Sequence, residues 1–111
     1  MNSGAIRYLS LAAKAGKLVT GGDEVEKQLR RGKAKGLLLL ASDAGADAER
    51  RARKLATTYG IELTKTLYAK YELAAAAGRG SSVAIALVTD GGLAAAFTAA
   101  AATGLEQEES I

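Results

Sequence analysis

The order of apolar and polar positions divides the chain into alternating helices and short strands. Apolar residues recur at helical spacing in five segments, which predicts helices over 3–15, 22–31, about 46–59, 69–77 and about 91–103. A glycine that is expected to end the helix follows each of the first four segments, at Gly16, Gly32, Gly60 and Gly78.

Four short segments between these helices are typical of strands. Residues 36–41 and 83–88 are apolar on both faces, as in central strands that helices cover on both sides. Residues 17–21 form a short strand, and residues 61–66 alternate apolar and polar as in a half-buried or edge strand. The alternation predicts an α/β fold, a three-layer α/β/α sandwich. We expect one domain over 1–105 and an acidic tail over 106–111.

The composition of the 111 residues excludes several kinds of chemistry. There is no His, Cys, Pro or Trp, which rules out Cys-His zinc sites, thiol nucleophiles, disulfides and His-based acid–base catalysis. We therefore expect no catalytic residues, no metal site and no cofactor. No apolar run approaches the roughly 20 residues that a membrane span needs, so we expect a soluble cytoplasmic protein without membrane contact.

The charge is unevenly distributed around a net +3. Residues 1–42 carry eight basic and three acidic side chains, a balance of +5. Residues 101–111 carry three glutamates and no base, which leaves +6 for the rest of the chain. A basic body with few aromatics favours contact with nucleic-acid phosphates over base stacking on an aromatic platform.

The second predicted helix concentrates charge on one face. At 100° per residue Glu24, Lys27 and Arg31 form a stripe, which we call the charged stripe, opposite the apolar positions. The stripe starts at a helix N-terminus directly after Gly21-Gly22, where free N–H groups and the helix dipole favour a phosphate. A glutamate accepts from base N–H groups and a lysine donates to guanine acceptors, so the stripe has the groups needed to recognise base edges.

The same residues also have a purely structural interpretation. Asp23 is a suitable N-cap, and Asp23-x-x-Glu26 resembles a capping box. The charged stripe is then an ordinary solvated helix face. Composition and spacing leave both interpretations open.

The segment 21–27 (GGDEVEK), followed by 31–35 (RGKAK) and an apolar strand, resembles the signature of the superfamily of ribosomal proteins L7Ae and L30e, which bind kink-turn RNA. The likeness continues through 41–44, 59–61, 70–73, 77–79 and 83–86, and it covers roughly residues 4–103. The small size and the Gly-x-Asp form of the motif look most like the bacterial YlxQ-like branch.

This resemblance implies a mixed four-stranded sheet and non-catalytic binding of kink-turn RNA, a helix–bulge–helix with tandem sheared G·A pairs. The family recognises these pairs with Asn, Glu and Lys, which correspond here to Asp23, Glu24 and Lys27. Gly21 and Gly22 would admit the RNA backbone. Lys33 and Lys35, just past the helix, would reach flanking phosphates, and Arg31 of the charged stripe is a further RNA-binding candidate. The loop before the last strand would pack on an extruded nucleotide through Arg79, Gly80, Ser81, Ser82 and Val83.

One departure from the family concerns position 23. Asn both donates and accepts, whereas Asp23 only accepts and carries a charge that phosphate repels. We expect the partner to be a structured RNA, either ribosomal RNA or an mRNA leader. We also expect the protein to be a monomer and to associate with the ribosome. The alternative is a protein–protein interaction module with the same fold that dimerises through its Ala-rich last helix.

Overall fold

Helices and strands alternate along the part of the chain that the computed structural model describes, which is residues 3–32 and 36–109, with side chains for 4–32 and 36–102. The helices are α1 (Ser3–Lys14), α2 (Gly22–Arg30), α3 (Ala46–Tyr59), α4 (Lys70–Ala76) and α5 (Gly91–Glu109). The strands are β1 (Leu18–Thr20), β2 (Leu37–Leu40), β3 (Glu62–Lys65) and β4 (Ile85–Val88).

The four strands form one mixed sheet in the order β1-β4-β2-β3. Strand β4 is antiparallel to both β1 and β2, whereas β3 is parallel to β2. The two predicted central strands, β2 and β4, do lie in the middle, and every residue in them is buried. The alternating segment became the edge strand β3, as predicted. The mixed four-stranded sheet is thereby confirmed.

Alternate side chains of the central strands enter two separate cores. On one face Leu39 and Val88 pack with residues of α1, α4 and α5, including Phe97. On the other face Leu38 and Leu87 pack with α2 and α3. Burying each large apolar side chain stabilises the fold by roughly 1.5–3 kcal/mol. Helices on both faces of the sheet make the three-layer α/β/α sandwich that the sequence predicts.

The helix ends follow the predicted signals, with one difference. Positive φ angles between 63° and 73° occur at the glycines after the first four helices, Gly16, Gly32, Gly60 and Gly78. Helix α5, however, continues to Glu109, beyond its predicted end at 103. The predicted acidic tail at 106–109 is therefore helical in its backbone, and 110–111 lie outside the described residues. No described helix has the length and hydropathy of a membrane span.

One end of the sheet brings distant segments together. Because β4 runs antiparallel to β1, the end of β1 lies beside the start of β4, with Thr20 opposite Ala86. The backbone N–H of Gly21 donates to the carbonyl of Ile85 at 2.9 Å. The start of α2 and the end of the loop before β4 are consequently neighbours, although more than 60 residues separate them in sequence.

Candidate nucleic-acid interface

Helix α2 is amphipathic in the orientation that its sequence predicts. Val25 and Leu29 are buried against the sheet, with 0% and 4% exposure. Glu24, Lys27 and Arg31 are all exposed. Among the described residues no side chain forms an ion pair or hydrogen bond with any side chain of the charged stripe. The stripe is therefore available to a ligand.

The start of α2 is built differently from the capping box that its sequence suggests. The N-cap is Gly21, with φ 90° and ψ 139° and no side-chain cap. Only glycine adopts this backbone conformation without strain. Asp23 is the second residue of the helix, so the interpretation in which it caps α2 is wrong. A Cβ on Gly21 would meet nothing within 4 Å, so the space beside this residue is open.

An arginine that the sequence did not single out holds Asp23. Arg51, on α3, donates through Nη2 to Asp23 Oδ1 at 2.7 Å and to Glu26 Oε1 at 3.0 Å. These two hydrogen bonds raise the pKa of Arg51 above its usual value. No local pattern marks this residue, since its partners lie 28 and 25 positions earlier in the chain. The contact exists because α2 and α3 cover the same face of the sheet.

The second glycine of the motif makes room for that arginine. A Cβ on Gly22 would lie 2.7 Å from Arg51 Nη1 and 2.9 Å from Arg51 Cζ. The guanidinium thus occupies the space that the missing side chain leaves. Gly22 was expected to admit an RNA backbone, but the space where its side chain would lie is filled by Arg51. The corresponding space at Gly21 is open.

The loop before β4 presents a short polar surface. Its first four residues are exposed: Arg79, Gly80, Ser81 and Ser82. The Arg79 N–H donates to the carbonyl of Ala74 at 2.8 Å, which anchors the start of the loop to the end of α4. Val83 differs, because its side chain is 6% exposed and belongs to the core beside α1, α4 and α5. Its side chain is therefore not part of a binding surface.

The candidate site thus has two segments, the start of α2 and the loop 79–82, which precedes the start of β4 at the end of the sheet where Gly21 bonds to Ile85. Arg31 lies at the far end of α2, which is about 13 Å long. Lys33 and Lys35 lie outside the described residues. Among the side chains that the structure describes, in 4–32 and 36–102, no three of His, Cys, Asp or Glu come together as a metal site would require.

Comparison with known proteins places the molecule in a family. Residues 5–98 match the Ribosomal protein L7Ae/L30e/S12e/Gadd45 family. The chain belongs to this family. A search of curated proteins found no match.

Solved structures share its architecture. The structure is similar to that of a protein of unknown function from Bacillus halodurans C, with a TM-score of 0.76 and 28% identity over 86% of this chain and 94% of that one. It is also similar to a 15.5kD RNA-binding protein from Giardia lamblia, with a TM-score of 0.67 and 20% identity over 88% of this chain and 82% of that one. The second likeness concerns the fold, since the identity is low.

Proposed function

We propose that this protein is a non-catalytic RNA-binding protein of ribosomal type that recognises kink-turn RNA and stabilises its bent form. One observation carries the proposal. The charged stripe is exposed and unpartnered among the described side chains, and it begins at a helix N-terminus whose preceding residue, Gly21, is hydrogen-bonded to Ile85 at the start of β4. Membership of the L7Ae/L30e/S12e/Gadd45 family supports RNA as the ligand.

The physics of RNA explains why a helix N-terminus suits a kinked target. Regular A-form RNA keeps its major-groove base edges in a deep and narrow cleft that side chains do not reach. A kink opens the groove, so that one helix end can enter. Glu24 would then accept from base N–H groups, and Lys27 would donate to guanine acceptors. The open space at Gly21 would leave room for the RNA backbone.

The remaining residues of the proposed surface have supporting roles. Arg31, Lys33 and Lys35 would contact flanking phosphates, and Arg79 with its loop would meet the extruded nucleotide. We further propose that the protein is a cytoplasmic monomer that binds ribosomal RNA or an mRNA leader and associates with the ribosome. The small size and the Gly-x-Asp form of the motif are the basis on which we place it in the YlxQ-like branch of the family.

Dimerisation through the Ala-rich last helix has less support. Ala94 and Phe97 of α5 are buried in the protomer's own core. These two side chains are therefore not available to a second copy. Nothing in the described part of the chain favours a protein–protein interaction module over RNA binding.

The experiment compares two RNAs that differ only at the bend. The first is a kink-turn RNA, and in the second Watson–Crick pairs replace the tandem G·A pairs. We expect clearly tighter binding to the kink-turn RNA at physiological salt. Equal affinity for both RNAs, with a steep salt dependence, would reduce the protein to a phosphate-driven binder and overturn the kink-turn proposal.

A further inference from the structure

We propose that Arg51 is a positioning residue that makes the RNA surface of α2 compatible with an acid at position 23. The inference rests on the proposed function, because it concerns how that same surface tolerates a carboxylate. It assigns a role to a residue on a neighbouring helix, outside the sequence motif.

The two acids that pair with Arg51 differ in whether they have another cationic partner. Its Nη2 group serves both carboxylates, at 2.7 Å from Asp23 and 3.0 Å from Glu26. Glu26 has a second cation, Arg30, whose Nη2 lies 3.5 Å away. Asp23 has no other cationic partner among the described residues. Loss of Arg51 would therefore leave Asp23 uncompensated, whereas Glu26 would keep Arg30.

The position of Asp23 makes this compensation matter. Its side chain is 97% exposed and belongs to the first turn of α2, next to the open space at Gly21. An uncompensated carboxylate there would repel a phosphate that approaches the same helix end. The missing side chain of Gly22 lets the guanidinium lie close to the helix start, so the positive charge is held where the repulsion would arise.

A double-mutant cycle on the full chain separates this role from a general charge effect. Affinity for a kink-turn RNA is measured for the wild type, Arg51→Gln, Asp23→Asn and the double variant. We expect Arg51→Gln to weaken binding about tenfold in the presence of Asp23. In the Asp23→Asn background the same substitution should change affinity by no more than about threefold, because the carboxylate that depends on Arg51 alone is absent and Glu26 keeps Arg30.

A matched control on the same helix is Arg50→Gln. Arg50 pairs with Asp47 of α3 itself at 2.8 Å, so its removal subtracts the same charge without exposing an acid on α2. We expect this variant to lose less than about threefold in affinity. Urea unfolding of every variant checks that each one is folded in the binding assay.

The outcomes discriminate between the two proposals. Equal losses for Arg51→Gln in both backgrounds would show that Arg51 acts independently of Asp23 and would overturn the inference. A loss from Arg50→Gln as large as that from Arg51→Gln would overturn it as well. Failure of the wild type to bind the kink-turn RNA would instead overturn the proposed function on which the inference rests.

Discussion

The guanidinium of Arg51 lies 2.7 Å from the carboxylate of Asp23 and joins α3 to the first turn of α2. This contact links the two helices that cover one face of the sheet. It adds an ion pair at the rim of a core that Val25, Leu29 and Leu55 already fill. We therefore expect the apolar packing to supply most of the stability of the helix pair. The ion pair determines the net charge at the start of α2.

The first prediction follows from this division. Arg51→Met should lower the free energy of unfolding by no more than about 1 kcal/mol, because exposed ion pairs contribute little in water. The difference from wild type should shrink at 1 M salt, where the Debye length is about 3 Å. Urea denaturation at low and high salt measures both effects. A loss above about 3 kcal/mol would mean that the packing of α2 depends on the arginine.

The second prediction concerns the charged stripe. Lys27→Ala should weaken binding of a kink-turn RNA by about 1–3 kcal/mol, because the lysine is proposed to donate to a base edge. The control is Lys14→Ala, which removes another exposed lysine, at the end of α1. Titration of labelled RNA gives both affinities. If both variants lose the same small amount of binding free energy, Lys27 does not contact a base and is only part of the solvated surface.

The third prediction tests a close backbone approach between Gly36, directly before β2, and Val88 of β4. A Cβ on Gly36 would lie 1.5 Å from the carbonyl oxygen of Val88, so Gly36→Ala should destabilise the protein by about 3 kcal/mol or more. Gly4→Ala is the matched control, because a Cβ there meets nothing within 4 Å. In helix α1 this alanine should be neutral or should stabilise by up to about 1 kcal/mol. Similar unfolding midpoints for the two variants would contradict the packing at Gly36.

The fourth prediction is a pH dependence at the surface of α3. The hydrogen bond from Arg53 and the charge of Lys65 lower the pKa of Glu49 below its usual value. A carboxyl group whose pKa is lowered by folding stabilises the folded state when the pH is above its pKa in the unfolded chain. This stabilisation is lost as the pH falls through its pKa in the folded protein. The unfolding free energies of wild type and Glu49→Gln should therefore differ at pH 7, and the difference should shrink as the pH falls below 4.5, the ordinary value for Glu, and through the lower folded pKa. A gap that stays constant down to pH 3 would argue against these contacts.

The sheet could be predicted from the sequence because its signals are local. The runs 36–41 and 83–88 are apolar at every position, and strands covered on both faces require that pattern. The edge position of β3 follows from its alternation. The glycines after α1 to α4 marked the helix ends, since each of them has positive φ.

The candidate site was predictable only in part. The exposure of Glu24, Lys27 and Arg31 follows from helical periodicity alone. The pairing of Arg51 with Asp23 does not, because it arises only when two helices dock on one sheet face. The N-cap at Gly21 also escaped prediction. The turn out of β1 needs a positive φ at this residue, and the nearby Asp23, a usual N-cap residue type, does not reveal that need. The burial of Val83 agrees with its place in the apolar run 83–88 and not with its assignment to the surface of the loop.

The central claim is that this protein favours the bent form of its RNA, which it does only if it binds that form better than the extended one. The most direct measurement is energy transfer between dyes on the two helical ends of a kink-turn RNA, recorded while wild-type protein is added without Mg²⁺. We expect a saturable rise in energy transfer for the kink-turn RNA and none for the RNA whose G·A pairs are replaced. Binding without any rise, or an equal rise for both RNAs, would contradict this claim.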